Sequence, residues 1–95
     1  MNSKYKVVLT NLFKKELKLV KKRNKKIQKL NKVIDILSSG EKLPLTYKDH
    51  QLVNSTRFYN CRECHIEPDW LLVYQIIENE LILLLVETGS HSDLF

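Results

Sequence analysis

Trp70-Leu71-Leu72-Val73-Tyr74-Gln75-Ile76-Ile77, then Glu78-Asn79-Glu80, then Leu81-Ile82-Leu83-Leu84-Leu85-Val86, is the stretch that decides the fold. Two β-rich apolar runs flank a short polar break. The pattern predicts strands over 70–77 and 81–86, with Asn79 and its neighbouring glutamates making a tight antiparallel turn. Immediately upstream, Arg57 to Ile66 alternates well enough for another strand, which makes the three a meander. Downstream, Gly89 is expected to release the chain into a short tail ending at Phe95.

The N-terminal half reads differently. Tyr5 to Thr10 predicts a first strand, and Thr10 can cap the helix that follows. Phe13, Leu17 and Val20 recur at helical spacing, with lysines on the other faces. Arg23 to Lys26 is a polar break. A second stripe follows at Ile27, Leu30, Ile34 and Leu37. Gly40 suits a left-handed cap and Pro44 prevents the helix from resuming. Neither helix can bury its stripe alone, so both need a sheet to pack on. Leu43 to Thr56 lacks periodicity and reads as an extended loop carrying Lys48-Asp49-His50. The expectation is one α+β domain over 1–95: an N-terminal strand, a two-helix hairpin, then a three-stranded antiparallel meander packed against the helices.

Composition narrows the class. No apolar run approaches the roughly 20 residues of a membrane-spanning helix. No secretory signal is visible, so a cytoplasmic location with no membrane partner is expected. Cys61 and Cys64 make no disulfide framework, and a reducing compartment fits them. Residues 1–50 carry 14 of the 16 Lys and Arg, whereas residues 51–95 hold 7 of the 11 Asp and Glu. The basic half is a candidate face for a polyanion, most plausibly nucleic acid, although lysines on solvated helix faces read the same way.

Three segments carry the chemistry: Tyr47-Lys48-Asp49-His50, Arg62-Glu63-Cys64-His65-Ile66-Glu67-Pro68-Asp69-Trp70, and Thr88-Gly89-Ser90-His91-Ser92-Asp93-Leu94-Phe95. Together, and in this order, they resemble the RelE/ParE toxin superfamily, and more narrowly its YafQ branch, over nearly the whole chain. The resemblance implies a RelE-like fold. It implies a toxin of a type II toxin–antitoxin system, an endoribonuclease that cuts mRNA in the ribosomal A site without a metal or other cofactor. It also implies a cognate antitoxin, and contact with the ribosome and its 16S rRNA through the basic helices. Residue by residue, it implies catalytic or RNA-contacting roles for His50, His65, Asp69, His91 and Phe95, with Trp70 beside them.

That chemistry has definite needs. The ribose 2′-hydroxyl attacks the adjacent phosphorus, so one group takes the 2′ proton and another protonates the leaving 5′ oxygen. Histidine suits both roles because its unperturbed pKa, roughly 6.5, lies near working pH. His65 sits late in a strand with Glu63 on its face and Cys64 and Ile66 on the other. Asp69 can orient a histidine or shape the turn after Pro68. Phe95 can stack on a base or dock the tail. Trp70 reads first as a core anchor and second as an RNA contact. Cys61-Arg62-Glu63-Cys64 has zinc-like spacing, but on a strand the two thiols would point to opposite faces, so no metal site is expected.

Two features depart from the family pattern: the segment from Asn54 to Asn60 is about two residues longer than expected and lacks the usual glycine, and one position inverts a charge. The family commonly has an arginine just before the Thr-Gly of the last segment, and here that position is Glu87. Lys48, Arg57 or Arg62 is then the candidate for the missing positive charge at the RNA. The departure also supports a second reading, a weak or inactive relative that binds RNA or antitoxin. A third, a gyrase-inhibiting relative on the same fold, has no need of the histidines.

Overall fold

The computed structural model describes residues 3–95. Its elements are β1 (Lys6–Leu9), α1 (Asn11–Lys22), α2 (Ile27–Ser38), β2 (His50–Gln51), β3 (Arg62–Glu67), β4 (Trp70–Ile77), β5 (Ile82–Gly89) and α3 (His91–Leu94). The sheet order is β1-β5-β4-β3-β2. The β3-β4-β5 meander is antiparallel throughout, as the hairpin pattern predicts. β1 adds to it in parallel along β5, and the two-residue β2 adds to β3. Among the described residues no helix is long and apolar enough to cross a membrane.

The local signals that start and stop the helices act as expected. Thr10 Oγ1 accepts from the Phe13 amide at 2.9 Å and donates to the Val86 carbonyl at 2.7 Å, which ties the start of α1 to β5. Gly40 follows α2 with φ +85°, and an added Cβ would lie 2.8 Å from the Lys4 side chain. Both helices cover one face of the sheet. Phe13, Val20, Leu30, Val33 and Leu37 pack there on Cys64, Trp70, Leu72, Tyr74, Leu83 and Leu85. The opposite face carries a smaller core of Phe58, Cys61, Leu71, Val73 and Leu94.

Three boundaries differ from the sequence reading. The strand expected from Arg57 begins only at Arg62. Asn54 and Asn60 adopt left-handed backbone, φ 56° and 59°, and the Ser55 hydroxyl accepts from the Phe58 amide at 3.0 Å. Residues 54–60 therefore form a turn that folds Phe58 onto the second core, and alternation alone could not show this. The loop from Leu43 contains a 3₁₀ turn, Leu45–Tyr47, and β2. The tail is a helical turn closed by a capping box. Ser90 Oγ accepts from the Asp93 amide, and Asp93 accepts from the Ser90 amide. Gly89 ends β5 instead of releasing the chain, and a Cβ there would sit 3.0 Å from Asp93.

Trp70 and Thr88 hold β4 and β5 together in the core. Trp70 Nε1 donates to Thr88 Oγ1 at 2.9 Å, and that hydroxyl donates to the Leu71 carbonyl at 2.8 Å. Beyond the end of β1, the Thr88 amide has no strand partner on that edge and donates instead to Glu16 of α1, at 3.1 Å. Burial pushes the Glu16 carboxyl up to about 7, and the neighbouring Glu87 carboxylate adds to the rise.

Two predictions follow from this packing. Thr88→Val strands the indole N–H and should cost about 1–3 kcal/mol in urea unfolding. The folded pKa of Glu16 lies above its ordinary 4.5, so its stabilising contribution is present below that value and lost as pH rises through about 7. Glu16→Gln should therefore gain urea midpoint relative to wild type between about pH 5 and about pH 8, with the difference levelling off above that range.

Candidate functional site

The site forms on the sheet face away from the helices. Strand register puts Glu63, Val73 and Glu87 in one row across β3, β4 and β5, and His65, Leu71 and Gly89 in the next. Val73 and Leu71 are fully buried, and Glu63 and Glu87 are buried beside them. His65 stands at this face as the sequence places it, with Glu63 on its own side and Cys64 and Ile66 in the helix-side core. Cys61 lies in the other core, so the two thiols face apart as expected, and burial raises both their pKa values.

Glu63 is the site neighbour to which the sequence reading gave no role. Its Oε1 lies 3.5 Å from His65 Nε2 and 3.7 Å from His50 Nε2. The signal was present: an acid two residues before His65 on the same strand face. What the sequence could not show is that β2 pairs His50 directly opposite Glu63. His50 Nδ1 lies 2.7 Å from the Lys48 carbonyl, so that nitrogen carries the proton and donates. Lys48, held in left-handed backbone at φ 51°, lines with His65, Glu67 and Pro68 a groove of about 370 Å³.

The C-terminal turn supplies the other side. Asp69 Oδ1 accepts from the His91 amide at 3.0 Å and lies 3.5 Å from His91 Nδ1. Arg23, at the end of α1, grips Asp93 at 2.6 Å and holds its carboxyl down to about 2. Leu94 plugs into the second core. The result is a row of rings: His65 to His91 at 5.8 Å between centroids, His91 to Phe95 at 6.0 Å, and Phe95 edge-on to Phe58 at 5.5 Å. Phe95 is 59% exposed and so is available to a stacking partner.

Three of the expected RNA contacts are placed elsewhere. Trp70 is 1% exposed and takes the core role, leaving no face for a base. Arg62 pairs across the strands with Tyr74, on the helix side of the sheet, and its Nε donates to Asp49 at 3.2 Å. Tyr74 also donates to that carboxylate, at 2.6 Å. Arg57 is bound to Glu87 and to the Leu94 carbonyl, at the far side of Phe58 from the histidines. Its neighbour in the sequence argument, Glu87, thus sits in an ion pair and presents no bare charge. Among the described residues, no group of three or more His, Cys, Asp and Glu side chains is arranged to hold a metal ion.

The fold and the site can be set against known proteins. Residues 5–95 match the family described as bacterial toxin of type II toxin–antitoxin system, YafQ. The mRNA interferase toxin YafQ of Escherichia coli (strain B / BL21-DE3) is 39% identical over 84 residues, 87% of either chain. The structure superposes on the toxin of the E. coli DinJ–YafQ toxin–antitoxin complex with a TM-score of 0.86 at 33% identity, covering 97% of this chain and 98% of that one. A metal-bound toxin from Helicobacter pylori superposes with a TM-score of 0.89 at 41% identity, covering 96% and 99%. With the match running from β1 to the last residue of the ring row, the chain belongs to the YafQ family of bacterial toxins of type II toxin–antitoxin systems.

Proposed function

We propose that the chain is a ribosome-dependent endoribonuclease that cleaves mRNA by 2′-hydroxyl attack and is restrained by a cognate antitoxin. The observation that carries this reading is the convergence of His65 and His91, 5.8 Å apart, each backed by its own carboxylate. Relatives support it: the E. coli proteins are named mRNA interferase toxins, and one is solved in complex with the antitoxin DinJ.

Ring-nitrogen occupancy supports one division of roles. His50 turns Nδ1 to the Lys48 carbonyl and Nε2 toward Glu63, so neither nitrogen is left for the substrate and its role is to position its neighbours. His65 turns Nε2 to Glu63 and keeps Nδ1 for the 2′ proton. Glu63 then stabilises the imidazolium as the proton arrives. His91 turns Nδ1 to Asp69, leaving Nε2 to protonate the departing 5′ oxygen. The 2′ oxygen bonds to phosphorus, the 5′ oxygen leaves with the proton, and a cyclic phosphate remains. Phe95 stacks beside the cut. The exposed lysines of α1 and Lys48 supply the attraction to RNA and the ribosome.

A primer-extension map of a message in a translation extract tests this. Wild type should cut at codon-defined positions only when ribosomes are present. His65→Ala and His91→Ala should each lose about 10²–10⁴-fold in rate with circular dichroism unchanged. His50→Ala should lose less than either. Full activity in both alanine variants would sink the assignment. A folded wild type that binds antitoxin and cuts nothing would favour the inactive-relative reading that Glu87 raises.

A further inference from the structure

The proposed mechanism leaves one buried acid without a task. Glu87 is 2% exposed and occupies the position where the family pattern has arginine. A buried carboxylate with no partner is costly, and its partner here is Arg57, drawn in from the 54–60 turn. Arg57 Nη2 reaches both Glu87 oxygens, at 2.6 and 2.7 Å. Its Nη1 donates to the Leu94 carbonyl at 2.8 Å. The guanidinium also lies over the Phe58 ring, 4.7 Å from its centroid, and Phe58 meets Phe95 edge-on.

These contacts differ in kind from the other ties on the C-terminal turn. Asp69 and Arg23 bind its first half, at His91 and Asp93, through exposed groups that water and salt weaken. Among the described residues, Arg57 supplies the one side-chain hydrogen bond to its last two residues. It does so from a partly buried ion pair whose acid lies in the sheet. The planar fork of arginine is what lets one side chain serve a carboxylate and a carbonyl together.

We infer that Arg57 and Glu87 are positioning residues: the pair fixes the end of the C-terminal turn, and through it Phe95 and His91, against the sheet. The inference deepens the nuclease reading and rests on it for its consequence in catalysis. It also gives Glu87 a role that the family arginine does not suggest. The acid is engaged by a guanidinium drawn from a neighbouring loop, and that guanidinium holds the C-terminal end of the site.

The test pairs two readouts on the full chain. One is hydrogen exchange at the Leu94 and Phe95 amides, which bond to the Ser90 and His91 carbonyls. The other is kcat and KM for cleavage on mRNA-programmed ribosomes. Arg57→Lys keeps the charge but cannot reproduce the fork, and Glu87→Gln keeps the shape but removes the anchor. Both should speed exchange at the two amides by roughly tenfold or more, leaving Leu72 unchanged, and lower kcat at constant KM. Unchanged exchange in both variants overturns the inference. So does a raised KM without faster exchange, which would make Arg57 a direct phosphate contact. If wild type itself does not cleave, the nuclease reading falls, and the exchange rates alone decide the positioning.

Discussion

Leu71 and Val73 point away from the helices, and the architecture of the site follows from the need to cover them. Both are fully buried, and hiding each is worth about 1.5–3 kcal/mol relative to exposure. The helix hairpin cannot reach them, because it is packed on the other face with Cys64, Leu72 and Tyr74. The cover comes instead from two irregular segments, the 54–60 turn through Phe58 and the terminal turn through Leu94. Docking Leu94 on Leu71 and Val73 brings His91 next to His65, since Leu71 pairs with His65 on one side and Gly89 on the other. Burial of an ordinary apolar patch thus assembles the polar site at its margin.

Electrostatics then refine what packing brings together. Four acids of the C-terminal half are matched with cations or histidines in this way: Glu63 with His50 and His65, Glu67 with Lys25 and Lys29, Glu87 with Arg57, Asp93 with Arg23. Glu67 and Asp93 carry lowered pKa values because of those cations. The charge asymmetry along the sequence is therefore partly resolved within the fold. Acids from the meander and tail bind cations in and beside the turn between α1 and α2.

What was legible in the sequence was whatever depends on local order. The two-residue alternation of strands, the helical stripe of Phe13, Leu17 and Val20, the Thr10 cap and the Gly40 stop all act where they stand. The opposite facing of Cys61 and Cys64, and of His65 and Ile66, comes from the same regularity. The 54–60 turn was not legible, because left-handed Asn60 breaks an alternation from Arg57 that otherwise fits a strand. Nor was the meeting of His50 with Glu63, which needs a two-residue strand too short to show a period. Arg57, Arg62 and Lys48 looked interchangeable as cations, yet register sends Arg62 to Asp49 on one face and the turn sends Arg57 to Glu87 on the other. Of the three, only Lys48 lines a groove with His65.

The remaining lysines bear on how a substrate can be held. Lys14, Lys15, Lys18, Lys21 and Lys22 are exposed on α1, and among the described residues none forms an ion pair. The helix layer to which they belong lies across the sheet from Glu63 and His65. A single RNA strand lying over the histidines would touch few of them, because the sheet stands between. The two surfaces are tied at the rim, where Arg23 and Lys25 meet Asp93 and Glu67. Under the proposed function, electrostatic attraction on one face and proton transfer on the other suit a substrate embedded in a larger anionic body. Such a body can wrap the helix layer while presenting one strand to the ring row. On that reading a free oligonucleotide would have to choose between the surfaces, whereas a message fixed in a ribosome can engage both at once.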